Sequence, residues 1–158
     1  MIFKIGEKVI HLNHGIGDIV DIEDKMVRDR NVSCYVVRTP SLTVWVPVDN
    51  GDRHSLRAPT SKREFENLFS VLRGPIEPLP EDRLERKKQL LELLKSGELN
   101  SICRVVRDLS SFGHERTLSE EDKSTLRRAK DSLLAEWVFS LSVPLPQATQ
   151  KMEELLNS

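Results

Sequence analysis

The residue types able to do chemistry in this chain are few, and most stand in unhelpful company. His11 and His14 are three apart, but in the turn-forming stretch Asn13-His14-Gly15 rather than on a helix. Zinc needs three or four ligands, and no cysteine or carboxylate set lies near to complete a site. A structural role in the turn is therefore the stronger reading. Gly15-Ile16-Gly17 lacks the further glycine and the lysine that phosphate loops require. Asp108, Ser110, Ser111 and His114 crowd together at a helix end. Caps and turns use those residue types constantly, so a triad there is remote. Cys103 falls on the apolar stripe of a helix and reads as a small core residue. With no acid/base pair and no activated nucleophile, the expectation is not an enzyme, with no cofactor, no metal and no small-molecule substrate.

What remains is charge and one aromatic. Arg83, Arg86, Lys87 and Lys88 form one basic cluster, and Lys123, Arg127, Arg128 and Lys130 form another. Helical spacing puts 83 with 87, and 123 with 127 and 130. Phosphate binding needs such local concentrations of Lys and Arg. Asp82, Glu85 and Asp131 dilute both clusters, so solvated helix faces are the competing reading. The aromatic is Trp45, in the run Leu42-Thr43-Val44-Trp45-Val46-Pro47-Val48-Asp49-Asn50. Period two puts Leu42, Val44, Val46 and Val48 on a buried face and presents Thr43, Trp45 and Pro47. Pro47 cannot donate a ladder hydrogen bond, which fits an edge strand or a strand end. An edge strand with an aromatic handle can pair with another protein. An ordinary strand whose Trp covers a neighbour fits the same pattern.

The elements that must position these residues divide the chain in two. Over residues 1–57, strand-like runs recur at short spacing: Val9-Ile10, then Ile16 to Ile22, then Cys34-Tyr35-Val36-Val37, then the Trp45 run. Turn residues separate them, the pattern of a small barrel or curled sheet. The charged stretch from Glu23 to Asn31 reads as a hairpin arm or loop with Asp29-Arg30-Asn31 at its tip. Residues 53–57 offer a short closing strand. A unit under about 60 residues has a marginal core and needs support.

Residues 58–158 read as helices. Ser61-Lys62-Arg63-Glu64 is a capping box, followed by Phe65, Leu68, Phe69 and Leu72 on one face and a stop at Arg73-Gly74-Pro75. Residues 76–80 hold two prolines and follow a third, Pro75, making a stiff connector, and a second helix over 81–95 is predicted with Leu84, Leu91 and Leu94 inward. A third helix spans 100–111, closed by Phe112-Gly113. A fourth starts at the Ser119 cap, carries Leu126, Ala129, Leu133, Leu134, Trp137, Val138 and Leu141 inward, and ends at Pro144 and Pro146. A last short helix over 147–156 turns Met152, Leu155 and Leu156 inward. The expected architecture is thus α+β, a small curled antiparallel sheet followed by about five helices.

Composition sets the outer bounds. The 158 residues are 38% hydrophobic and 31% charged with a formal net charge of −1, which is foldable but carries no global basic field. Two well-separated cysteines without a CxxC suggest reduced thiols. No apolar run approaches signal-peptide or membrane-spanning length, so a cytoplasmic protein with no membrane partner is expected.

Several segments together resemble the CarD/CdnL family of bacterial RNA-polymerase-binding transcription regulators. Met1-Ile2-Phe3-Lys4-Ile5-Gly6-Glu7-Lys8-Val9 is similar to the family's opening strand, and Asn13-His14-Gly15-Ile16-Gly17 to its His-Gly turn. The Trp45 run resembles its most recognisable strand. Leu94 to Asn100, Val105 to Leu109 and Glu115 to Ser119 resemble its helical signature. The resemblance covers nearly the whole chain in order. It implies a Tudor-like β domain that binds the RNA polymerase β subunit. It also implies a helical domain that contacts promoter DNA at the upstream edge of the transcription bubble and stabilises the open complex. Family polymerase-facing residues map to Lys25 and Trp45, with Leu42, Thr43 and Pro47 on the same strand. Family DNA-facing residues map to Arg86, Lys88, Arg128 and Lys130. Many members wedge a Trp from the start of the second helix into the minor groove; Arg83 occupies that position here and joins the DNA-facing set. Members often carry a basic residue where Trp45 stands. A polymerase-binding adaptor without DNA wedging is the alternative. The β module is also similar to one in transcription-repair coupling factors, but no helicase motifs follow.

Overall fold

A computed structural model of the chain describes residues 2–49 and 55–158. The chain divides into two compact units, Met1–Pro59 and Thr60–Ser158. The first unit is a five-stranded antiparallel sheet and the second is helical, an α+β protein.

The strands are β1 (Lys8–His11), β2 (Gly15–Val27), β3 (Arg30–Arg38), β4 (Thr43–Pro47) and β5 (Leu56–Arg57). Their order in the sheet is β4-β3-β2-β1-β5, so β4 is an edge strand. β5 supplies the closing strand expected near the end of the unit; Arg53 and His54 of that stretch lie outside the described residues. Val9, Ile19, Tyr35, Val37, Val46 and Leu56 form the core on one face of the sheet. Inner-face side chains of both edge strands, Val46 and Leu56, line one cavity of about 30 Å³ with Phe3 and Tyr35, so the sheet is curled. The Tyr35 hydroxyl accepts the backbone N–H groups of Ile2 and Phe3, tying the N-terminal segment to the sheet.

The second apolar run and the charged arm are one 13-residue strand rather than two pieces. A register shift between Ile19 and Asp21 makes this possible. The bulge turns the strand and resets which side chains face inward. The arm's tip is also displaced: Val27 pairs with Arg30, so Arg28-Asp29 forms the turn rather than Asp29-Arg30-Asn31. Gly17 is required by packing, since a Cβ there would stand 2.8 Å from the Arg38 carbonyl oxygen.

The helices are α1 (Lys62–Asn67), α2 (Phe69–Arg73), α3 (Arg83–Lys95), α4 (Leu99–Glu115), α5 (Glu120–Leu141) and α6 (Leu145–Leu156). The first expected helix is broken at Leu68 into α1 and α2; counted as one, the unit has five helices among the described residues. Ser61 caps α1 by accepting the Glu64 N–H at 3.3 Å. Ser119 caps α5 in the same way through Asp122. Phe65, Leu72, Leu90, Leu109, Leu133, Trp137 and Met152 anchor a single core built from every helix.

Three helix readings need correction. α4 continues through Phe112-Gly113 to Glu115. Gly113 is there for packing, because a Cβ would approach the Leu118 side chain to 3.1 Å. Pro146 begins α6 instead of ending α5, since a missing N–H costs nothing in a first helical turn. In α3 the inward face is Arg86 and Leu90, with Leu93 and Leu94 half-buried. Leu84 and Leu91 face out, at 77% and 51% exposure.

Candidate functional site

On the β unit, the register decides what is presented. Trp45 pairs with Val36, which pairs with Asp21. Stepping by two from that row puts Glu23, Lys25 and Val27 of β2 on the Trp45 face, with Cys34, Val32 and Arg30 of β3 opposite them. Trp45 is 40% exposed on this outer face. Its indole N–H donates to Glu23 Oε2 at 3.0 Å, and Lys25 Nζ lies 4.0 Å from the ring centroid. Two charged side chains therefore hold an exposed indole in one orientation by a charge-assisted hydrogen bond and a cation–π contact. The two residues mapped as polymerase-facing, Lys25 and Trp45, come together in space. Glu23 is a third member that period-two reading of β4 could not supply, because it lies two strands away.

The other members of the strand are placed unequally. Val46 is buried and Val44 and Val48 are half-buried, but Leu42 lies outside β4 and is 40% exposed, contrary to the inward place its spacing gave it. The strand has ended there: Leu42 closes a turn with Thr39, whose N–H and hydroxyl both donate to the Leu42 carbonyl. Leu42 and Val48 bond across to Thr39 and Ser33 through their main chain. In an antiparallel pair the bonded residues alternate, so the N–H and C=O groups of Thr43 and Trp45 point away from the sheet. Pro47 falls in the same outward set and offers only its carbonyl. Among the described residues, the outer edge of β4 thus has two unbonded donors, at Thr43 and Trp45.

His11 belongs to the turn. It is buried, and its Nδ1 accepts the Asn13 N–H at 3.0 Å. Burial lowers its pKa, and the neighbouring His14 ring lowers it further.

On the helical unit, the expected DNA-facing residues separate into two kinds. Arg86 is not on the surface, being 4% exposed. Its Nε and Nη2 donate to Asp122, with Nη2–Oδ2 at 2.7 Å. Its Nη1 donates to the carbonyls of Pro80 and Glu81. The guanidinium also lies over the Phe112 ring, 4.7 Å from the centroid. Every nitrogen is committed and the group is buried, so the guanidinium is not offered to a phosphate. Burial alone would raise the Asp122 carboxyl, but the Arg86 and Ser119 hydrogen bonds and the Arg86 charge outweigh it and hold the group below the usual carboxylate range. Arg86 is a clasp that joins α3 to the start of α5 and fixes the end of the proline connector. Arg116 reinforces it, pairing with Glu81 and lying over the same Phe112.

Arg83, Lys88 and Arg128 are exposed, and none has an ion-pair partner among the described residues. Lys130 is half-buried and paired with Glu153 at 3.2 Å. Lys87 pairs with Glu121 and Lys123 with Glu120. The two basic clusters therefore reduce to a sparser set of available cations. Asp108 is used up structurally, accepting from Arg107 and from the Glu77 N–H. Cys103 is fully buried and its thiol is pushed up to about 12, chiefly by burial. The described residues contain no group of three or more potential metal ligands and no helix long and apolar enough to cross a membrane.

A curled β unit that presents an aromatic on a free edge, joined to a helical unit with isolated surface cations, has clear relatives. Residues 67–153 match the CarD C-terminal domain, and residues 3–59 match the CarD-like/TRCF RID domain, an RNA-polymerase-interaction module. The protein is a transcription regulator of this kind. It belongs to the CarD family. It is 27% identical over 140 residues to the Bacillus subtilis (strain 168) protein named "Putative transcription factor YdeB", a similarity covering 85% of this chain and 89% of that one.

Proposed function

We propose that the β unit docks on the β subunit of RNA polymerase through the β4 edge, and that the helical unit contacts promoter DNA and stabilises the open complex. The observation that carries this is the exposed Trp45, held between Glu23 and Lys25 on an edge strand of the sheet. A solvated Trp costs hydrophobic free energy, and fixing its orientation makes sense when a partner receives it. The edge groups of Thr43 and Trp45 suit an added strand, with Pro47 ending the ladder and Leu42 flanking it.

On the DNA side, Arg83, Lys88 and Arg128 are the phosphate-binding candidates, with Lys130 secondary because Glu153 must release it. Leu84 stands exposed next to Arg83, which occupies the position of the wedge Trp that the family resemblance implies, and is the apolar group adjacent to it in sequence. The test is open-complex lifetime on one promoter at stated salt. A variant with Arg83→Glu, Lys88→Glu and Arg128→Glu is expected to shorten the lifetime while binding polymerase normally. An unchanged lifetime would favour the second reading, an adaptor that binds polymerase without touching DNA. That reading draws support from the burial of Arg86 and the acidic pairing of Lys87, Lys123 and Lys130.

A further inference from the structure

Beyond Lys25, the β2–β3 arm has no role in the docking just described. From Lys25↔Val32 outward, among the described residues, only β2 and β3 pair, and Lys25 to Asn31 are exposed throughout. A two-stranded ribbon without a core is marginal in water, and here it also displays Met26 at 69% and Val27 at 47% exposure. The turn adds strain. Arg28 and Asp29 sit at φ 50° and 64°, where hairpin turns favour Asn-Gly. Side chains are retained at positions where glycine would relax the backbone.

The two faces of the ribbon differ. One face carries Lys25, Val27, Val32 and Arg30, and it is the Trp45 face. The other carries Asp24, Met26, Asn31 and Ser33, and there the Ser33 hydroxyl donates to Asp24 at 2.7 Å. Charge on the outer face is also graded. Asp21 and Glu23 lie toward the sheet, and Lys25 and Arg30 lie along the arm, with Arg28 and Asp29 at its turn.

We infer that the arm is a one-sided extension of the Trp45 docking face, in which Val27 packs against a protein partner while Arg30 and Arg28 pair with acidic side chains on it. The inference rests on the polymerase-docking reading and names the chemistry that the partner must offer: an acidic rim around an apolar contact, three same-face rows beyond that of Trp45. A protein surface suits the outer face better than nucleic acid does, because the row runs from indole to valine with the cations set around it. Arg and aromatic anchors framed by apolar area are what protein interfaces enrich.

The register provides its own control. Full-length variants are titrated against core RNA polymerase without DNA, each first checked for an unchanged thermal midpoint. Val27→Asp and Arg30→Glu are expected to weaken binding about tenfold or more. The Arg30→Glu loss should shrink as salt rises. Met26→Asp and Asn31→Asp, on the opposite face, should stay within about twofold of the wild type. A loss from Met26→Asp equal to that from Val27→Asp would overturn one-sidedness. Trp45→Ala is run alongside. If it weakens binding while Val27→Asp and Arg30→Glu do not, the arm inference falls and the docking reading stands. If none of the three weakens binding, both fall. Unchanged polymerase affinity with reduced promoter-DNA crosslinking at the arm would make the ribbon a nucleic-acid contact and overturn the proposal.

Discussion

Trp45 and Arg86 each occupy the side of their element that their type disfavours. The outer face of the sheet shows water an indole, while the inner face of α3 buries a guanidinium and leaves Leu84 and Leu91 in solvent. The two inversions have different physical bases. Trp45 is held by partners that are themselves exposed, Glu23 and Lys25, so the arrangement can open toward something else. Arg86 is held by a buried carboxylate, two carbonyls and an aromatic ring, so it is closed. An inverted residue with exposed partners points to an interface; one with buried partners points to architecture.

The sharpest way to break this contrast is to open the closed site. Asp122→Ala strands the Arg86 charge in the core and should cost the helical unit about 3–5 kcal/mol, read as a lower midpoint in urea unfolding. The double replacement Arg86→Met with Asp122→Leu should recover much of that loss, because it buries no charge. If Arg86→Met alone left stability intact and weakened DNA binding, the clasp reading would fail. Within the same helix, Leu90→Ala should cost about 2–5 kcal/mol. Leu84→Ala should stay within about 0.5 kcal/mol, because its side chain is already in water. Equal losses would mean that α3 is rotated from the orientation described.

The open site predicts the reverse pattern. Trp45→Ala should lower polymerase affinity by about 2 kcal/mol or more, measured by equilibrium titration, with little change in unfolding midpoint. Trp45→Phe keeps an aromatic face for Lys25 but loses the N–H to Glu23, so an intermediate loss is expected. A large fall in stability with either variant would place Trp45 in the architecture of the sheet.

The same contrast explains what the sequence made legible. The Trp45 face was readable because a strand alternates strictly, and Val46 and Pro47 confirm the phase from either side. Leu42 departs from the alternation because β4 begins one residue later, at Thr43, and Leu42 belongs to the turn closed by Thr39. The sequence leaves the inward face of α3 open because its leucines, at 84, 90, 91, 93 and 94, fit more than one stripe. A charged residue is never the first choice for the inward one. The deciding residue is Asp122, 36 residues downstream, which taken by itself reads only as an acidic residue in the first turn of α5. Long-range pairing of this kind leaves no local period. Glu23 was missed for a similar reason: it meets Trp45 across β3, through a register that depends on the bulge after Ile19.

Acid should separate the two units, with the smallest effect coming first. His11 has a lowered pKa in the folded state, so folding favours its neutral form. Below the ordinary histidine value of about 6.5 the unfolded chain takes up the proton first, and the β unit loses stability as pH falls further. Protonation also turns Nδ1 from acceptor to donor, which breaks the bond from the Asn13 N–H. Asp122 behaves differently. Its depressed carboxyl keeps its stabilisation above the ordinary aspartate value of about 3.9 and yields it only as pH falls through the lower folded value. The chain has one Trp in each unit, Trp45 and Trp137. Fluorescence of Trp137→Phe therefore follows the sheet, and that of Trp45→Phe follows the helices. Between pH 7 and 5 the midpoint of the sheet should drop while that of the helical unit holds. His11→Asn, which keeps an acceptor but cannot titrate, should flatten the slope. If the slope persists in that variant, the proton is being taken up elsewhere in the β unit, and the His11 turn is not what ties its stability to pH.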